Sequence, residues 1–263
     1  MTRPTFRPKQ TLGQNFLVDE NIARKIVGVL TPKPEDIVIE IGPGFGILTK
    51  YILPKVGRLT AVEIDRYLFE KVRATFGEVE NLELVLADFL KIDLSDYFEE
   101  GRKLRIIGNV PYHITSPVIF KVFAMRQRIS DLILMIQKEV AARIVAVPRT
   151  KDYGILSVFS QLYSRPAVHF HVSPNVFKPR PDVESSVIRW DFSAAQKFDV
   201  KDAALLKKIV KASFNQRRKM LRKSLQQLPE LEGRLTGIDF NLEKRPEELT
   251  VTEFVQLSNL FAG

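Results

Sequence analysis

The sequence predicts an α/β protein: a parallel, doubly wound sheet followed by a smaller all-helical C-terminal domain. Three observations carry that prediction. Short apolar, β-rich runs alternate with stretches of helical spacing. A glycine-rich turn joins the first long run to the helical pattern behind it, and after Phe192 the strand pattern gives way to helical spacing. The division expected is residues 1–195 and 196–263.

Taken in order, the chain opens on Arg3, Arg7 and Lys9 with two prolines and no acid, which reads as a flexible positive arm. Asp19 is placed to cap a helix over Glu20–Leu30, where apolar residues recur at helical spacing. The run Ile37–Ile41 reads as a strand, and past the glycines the pattern turns helical through Tyr51, Ile52 and Leu53. Further strands are predicted at 59–63, Leu82–Leu86, 104–108, 132–136, 170–173 and 186–190, with a helix continuing over 70–76. The segment 174–181 has too many prolines to be a helix. From about Asp199 the chain is helical in pattern to its end.

Composition bounds the function. At 263 residues and 45% hydrophobic content, the chain is long enough for one large domain and a smaller one. The absence of cysteine excludes a disulfide framework, a thiolate nucleophile and a cysteine-based zinc site. A net charge of +9 points towards a polyanionic partner. No apolar run reaches the roughly 18 residues of a membrane span, and the N-terminus lacks the apolar core of a secretory signal, so a soluble cytoplasmic monomer is expected. His169 and His171 alternate on one strand face without a third ligand nearby; they read as ordinary strand residues, and no metal is expected.

The candidate site begins at Gly42, Gly44 and Gly46, which let the backbone approach a ligand closely. Their spacing is G-x-G-x-G, and Ile47 stands where a dinucleotide fingerprint has its last glycine. That favours an adenosine ligand without a pyrophosphate. Glu63, at the end of the next strand, either suits a ribose hydroxyl pair, because a carboxylate accepts two O–H hydrogen bonds, or is a surface acid at a strand end. Asp88 ends the following strand; it is either an acceptor for an adenine amine, with Phe89 covering the ring, or the cap of the next turn. Asn109-Val110-Pro111-Tyr112 follows one strand later and offers the Asn109 amide and the Val110 carbonyl as paired acceptors, with Tyr112 for stacking; N-x-P-Y taken alone is more often a turn. Phe177 is either a buried anchor or a ring stacked on a base, with Lys178 and Arg180 near phosphates. Gln14 and Asn15 read as ligand-facing amides or as turn formers. Lys207, Lys208, Lys211, Arg217, Arg218, Lys219, Arg222 and Lys223 form a run without an acid, interleaved with Phe214, Met220 and Leu221: a helix anchored by one side and offering the other to phosphates, or only a solvated face.

Four motifs in order, Gly13-Gln14-Asn15-Phe16-Leu17, Glu40-Ile41-Gly42-Pro43-Gly44-Phe45-Gly46, Asn109-Val110-Pro111-Tyr112 and Val176-Phe177-Lys178-Pro179-Arg180-Pro181-Asp182-Val183-Glu184-Ser185, resemble the ribosomal RNA adenine dimethyltransferases, with the closest likeness to the KsgA-type small-subunit enzymes. The likeness covers residues 11–190 and continues less specifically into the basic end. It implies a Rossmann-like class I methyltransferase sheet and S-adenosyl-L-methionine as cofactor. The implied reaction places two methyl groups on N6 of each of two adjacent adenosines near the 3′ end of small-subunit rRNA, within an immature small subunit. By the same likeness, Gln14 and the Gly42 to Gly46 loop hold the methionine part, Glu63 the ribose, Asp88 the cofactor adenine amine and Asn109 the target N6. Tyr112 and Phe177 stack, while Asn15, Leu17, Ile64, Phe89 and Asn109 complete the expected cofactor set. Val110 and His113 stand where the family more often has leucine, and asparagine or tyrosine. The rivals are a large-subunit rRNA adenine methyltransferase of the macrolide-resistance type and a non-catalytic RNA-binding assembly factor. An assembly checkpoint is a second role the basic helices would serve.

Overall fold

The computed structural model describes residues 14–262. The basic arm and Gly13 of the first motif lie outside the described residues. The described residues divide into two compact units, one of residues 14–141 and 167–193, the other of residues 142–166 and 194–262. Residues 142–166 thus group with residues 194–262.

In the first unit, β1 (Phe16–Leu17) leads into α1 (Glu20–Leu30). Asp19 caps α1, its Oδ1 accepting from the N–H groups of Asn21 (2.8 Å) and Ile22 (3.0 Å). Then come β2 (Ile37–Ile41), the four-residue α2 (Thr49–Ile52) and β3 (Arg58–Glu63). They are followed by α3 (Arg66–Phe76), β4 (Leu82–Leu86), β5 (Leu104–Asn109), α4 (Thr115–Ala124) and β6 (Ile129–Gln137). Along α5 (Lys138–Val145) the chain passes into the second unit, and it returns along β7 (Arg165–Val172), β8 (Phe177–Lys178) and β9 (Ser185–Asp191).

The main sheet has the order β4-β3-β2-β5-β6-β9-β7, and β1 pairs antiparallel with β8 in a separate two-stranded sheet. From β4 to β6 every pairing is parallel, with the reversal of strand order at β2 and β5 that defines a doubly wound fold. Every residue of β2 is buried, which is why it reads as a continuous apolar run broken only by Glu40. The sheet departs from an all-parallel one at β9, which runs antiparallel to β6 with Ser185 opposite Gln137. The chain reaches β9 from the proline-rich segment, already at the carboxyl end of β6, so it can only run back. Under the opposite end of the sheet, Arg105 binds Asp131 (2.6 Å), Asp36 (2.7 Å) and the Leu30 carbonyl (2.5 Å), fixing the end of α1 to β5 and β6.

The second unit contains α6 (Ile155–Tyr163), α7 (Ala203–Asn215), α8 (Leu221–Leu225) and α9 (Val251–Asn259). Its aromatic centre is Phe214, whose ring lies 6.0 Å from that of Tyr153 and 5.8 Å from that of Phe254. Arg217 accounts for the membership of residues 142–166: it donates to Glu247 at 2.8 Å, to the Thr150 carbonyl at 2.9 Å and to the Lys151 carbonyl. No local sequence pattern carries such contacts. Helix is also less continuous than the spacing suggests, because between α8 and α9 only short 3-10 turns form, at Pro229–Leu231 and Pro246–Glu248. Proline at the start of each turn removes a donor that a longer helix would need. Among the described residues, no helix is long and apolar enough to cross a membrane.

Candidate active site

A cavity of about 260 Å³ opens at the carboxyl ends of β2 to β5 in the first unit. It is lined by Gln14, Asn15 and Leu17, by Gly42 and Gly44, by Glu63 and Ile64, by Asp88 and Phe89, and by Asn109, Tyr112 and Phe177. Residues separated by up to 163 positions thus share one concave surface, as the doubly wound topology requires. Lys178 and Arg180 are exposed and are not among the lining residues.

The floor is the turn after β2, with Gly42, Gly44 and Gly46 at φ of 63°, 61° and 80°. At Gly42 nothing lies within 4 Å of where a Cβ would stand, so the left-handed backbone faces open space. At Gly44 a Cβ would come 3.1 Å from the Phe16 ring, so the glycine lets β1 close over the turn. Phe16 meets Phe45 edge-on, with centroids 4.9 Å apart, and Phe45 stays half exposed at the mouth.

Two carboxylates lie beneath this floor. Glu63 Oε2 accepts from the Gly44 N–H at 3.2 Å and Oε1 from the Asp65 N–H at 2.9 Å. Burial pushes its carboxyl above the usual range, against the pull of these backbone donors. Glu40 is buried on the same wall; its Oε2 accepts the Thr49 hydroxyl at 2.7 Å, and burial pushes its carboxyl up to about 7. Neither acid forms an ion pair among the described residues, so the cavity suits a ligand carrying positive charge.

On the far wall, Asp88 Oδ1 accepts the Leu90 N–H at 2.9 Å, so Asp88 does brace the turn, and its other oxygen remains as an acceptor. Asn109 donates through Nδ2 to the Asn15 carbonyl at 3.0 Å, which commits the amide nitrogen and leaves Oδ1 to accept. Tyr112 shares a hydrogen bond with Ser185 at 3.0 Å. Phe177 is at once an anchor and a wall: only 3% exposed, it stands opposite Leu17 in the β1–β8 pair and packs in the core while lining the cavity. His113 is exposed at the rim.

Sequence reasoning missed Phe16, Phe45 and Glu40 as parts of the site. Phe45 had a signal, an aromatic between two glycines where the chain has no room to bury it. Glu40 had another, an acid inside an otherwise apolar strand.

The basic residues of the second unit are less uniform than their sequence. The run is not one helix: α7 ends at Asn215 and α8 begins at Leu221. Arg217 is bound to Glu247, Arg222 to Glu243 at 3.2 Å and to the Leu235 carbonyl, and Lys208 to Glu230. Lys207, Lys211, Lys219 and Lys223 are exposed and Arg218 half-buried, with no ion pair among the described residues. On β7, His171 Nδ1 is hydrogen-bonded to Ser186 at 2.8 Å.

The family described as ribosomal RNA adenine dimethylase matches residues 5–262. "Ribosomal RNA small subunit methyltransferase A" of Salinibacter ruber is 44% identical over 96% of this chain and 84% of its own length. The protein of the same name from Chlorobium phaeobacteroides is 47% identical over 95% of this chain and 92% of its own. Among solved structures, a dimethyladenosine transferase from Plasmodium falciparum superposes with a TM-score of 0.75 at 24% identity, over 92% of this chain and 95% of that one. The 23S rRNA methyltransferase ErmE does so at 0.70 and 24%, over 94% and 99%. At that identity these two structures speak for the fold alone.

Proposed function

The chain belongs to the ribosomal RNA adenine dimethylase family, and from that premise we propose that it transfers methyl groups to N6 of two adjacent adenosines near the 3′ end of small-subunit rRNA. It is an S-adenosyl-L-methionine-dependent rRNA adenine dimethyltransferase. The finer reading takes an immature small subunit as substrate and has the protein act as a cytoplasmic monomer, with residues 1–195 as the methyltransferase part and 196–263 as the basic rRNA-binding part.

The observation that carries the site assignment is the hydrogen bond from Asn109 to the Asn15 carbonyl, since it fixes the amide with one acceptor left over beside the cavity. The cofactor fits the residues present: an open left-handed turn at Gly42 for its close approach, two unpaired buried acids for its positive charge, and Glu63 and Asp88 with acceptor capacity to spare. When bound, it supplies an electrophilic methyl on a sulfonium. Gln14, Asn15, Leu17, Gly42 and Gly44 would hold the methionine end, Glu63 and Ile64 the ribose, and Asp88 and Phe89 the adenine.

An adenine amine is a poor nucleophile because its lone pair is delocalised into the ring. Oδ1 of Asn109 and the carbonyl of Val110, which Pro111 keeps out of a regular ladder, accept its two N–H bonds and favour a pyramidal nitrogen aimed at the methyl. Positioning of this kind supplies most of the acceleration. No side-chain base is needed, because the aminium formed is acidic enough to lose its proton to water. The target base leaves its stack to enter, and Tyr112 and Phe177 offer rings to receive it. Lys178, Arg180 and the unpaired lysines of the second unit contact phosphates.

The test is transfer of labelled methyl to unmethylated small subunits, to large-subunit rRNA and to a blank, with the labelled nucleoside identified. Small-subunit N6,N6-dimethyladenosine is expected. Asn109→Ala should lower kcat by about 10²–10³-fold, with a much smaller loss of S-adenosylhomocysteine affinity as the Asn15 carbonyl loses its donor, since most of what is lost is transition-state geometry. Label on large-subunit rRNA would move the substrate to the macrolide-resistance type. A checkpoint role adds the expectation that Asn109→Ala still binds immature small subunits; loss of that binding would remove the role.

A further inference from the structure

Lys121 lies on α4, which begins soon after the Asn109 to Tyr112 segment, yet its side chain reaches the loop that follows β4 and carries Asp88 and Phe89. Its Nζ donates to the carbonyls of Leu90 at 3.1 Å and Ile92 at 2.5 Å, and lies 5.6 Å from the centre of the Phe89 ring. The same loop is braced from within. Asp88 Oδ1 accepts the Leu90 N–H, and the Asp88 carbonyl accepts from Lys91 at 2.8 Å and Ile92 at 3.3 Å. The turn therefore folds its N–H groups inward onto Asp88 and leaves two carbonyls for one ammonium to gather. An ammonium suits this task, having three donors on a flexible stem and no acceptor. Burial pushes the Lys121 pKa down, while the carboxylates of Asp93 and Asp88 pull it up.

We propose that Lys121 is a positioning residue for the adenine end of the cofactor cavity: it holds the Asp88–Phe89–Leu90 turn in the conformation that presents Asp88 and Phe89, and ties that turn to the helix behind Asn109. The inference rests on the cofactor reading above. It predicts that the methionine end and the RNA are not the parts that feel its loss. Removing Lys121 frees two carbonyls and the face of Phe89, and the turn that carries Asp88 loosens.

The experiment is calorimetric titration of S-adenosylhomocysteine and 5′-methylthioadenosine into the full-length wild type, Lys121→Met, Lys121→Gln, Asp88→Asn and the double variant Lys121→Met with Asp88→Asn. Lys121→Met should weaken both ligands by about tenfold and by the same factor, since they share the 5′-thioadenosine part and differ only in the amino-acid tail, and Lys121→Gln, which keeps a donor, by less. The KM for rRNA should not move. The double variant should lose little more than Asp88→Asn alone, because both changes act on one turn. Binding within about twofold of wild type in Lys121→Met, or losses that simply add in the double variant, would overturn the proposal. Should Lys121→Met fail to fold by circular dichroism, Lys121→Gln paired with Asp88→Asn carries the same additivity test. A wild type that binds neither ligand would overturn the cofactor reading itself, an outcome distinct from a wild type that binds and a variant that matches it.

Discussion

The cavity of the first unit and the basic helices of the second handle charge in opposite ways. Glu40 and Glu63 are buried without a cationic side chain, one held by a hydroxyl and the other by backbone N–H groups. In the second unit Lys208, Arg217 and Arg222 are each bound to a carboxylate of the same unit. A charge that the fold leaves unpaired at an unfavourable place is held ready for a ligand, whereas a charge already paired is part of the architecture. Composition alone weighs all of these charges equally; geometry separates them.

The sharpest way to break that comparison is at Glu40. Its folded pKa, about 7, lies above the value of 4.5 expected for an unfolded glutamate. The neutral acid therefore favours the fold fully below pH 4.5, and that contribution is lost as pH rises through about 7. Glu40→Gln keeps an acceptor for Thr49 but has no proton to lose. Urea unfolding between pH 5 and pH 8 should show stability falling with pH in the wild type and falling less in the variant. The gap should reach on the order of 3 kcal/mol in favour of the variant at pH 8. Glu63, also raised, titrates in both proteins and leaves a residual slope in each. Parallel curves would mean that Glu40 is ionised in the fold and already has a partner.

Glu63 tests the ligand side of the same contrast. Glu63→Gln retains the shape but turns one of the two oxygens that accept the Gly44 and Asp65 N–H groups into a donor, so the thermal midpoint should fall modestly, while cofactor affinity should fall further, by about 2 kcal/mol, roughly 30-fold. Calorimetry with S-adenosylhomocysteine measures it. An equal loss of stability would make Glu63 a structural acid, like the carboxylates of the second unit.

The parts of this molecule that were legible in its sequence are those whose cause is local. Asp19 before Glu20–Leu30 is capping chemistry within three residues, and Leu82–Leu86 and the glycine turn are read from period and backbone freedom. The parts that were not legible depend on residues far apart. Arg217 reaches 66 positions back to the Lys151 carbonyl and so draws residues 142–166 into the second unit. Lys121 reaches 31 positions back to Leu90, and Asn109 reaches 94 positions back to Asn15. The antiparallel direction of β9 follows from where the chain emerges after Phe177, which no local period records. In the basic run the residue types were plain, but the acids that bind some of them, Glu230, Glu243 and Glu247, come later in the chain.

The smallest effects should come from that run, and they should differ in kind. Arg217→Ala leaves Glu247 and the carbonyls of Thr150 and Lys151 without their donor, so unfolding should become easier by about 1 kcal/mol. The half-exposed setting of the pair keeps the figure low. Lys211→Ala and Lys219→Ala remove exposed cations with no ion pair among the described residues, so the thermal midpoint should hold. Instead each should lower the slope of log affinity against log salt for rRNA by about 1, the signature of one lost phosphate contact. If Arg217→Ala changes the salt slope and Lys211→Ala changes the midpoint, the rule that paired charge is architectural and unpaired charge is for the ligand fails in this unit. Should both lysine variants leave the slope untouched while Lys178→Ala and Arg180→Ala lower it, the RNA backbone is read from the first unit, and the exposed cations between Lys207 and Lys223 form only a solvated face.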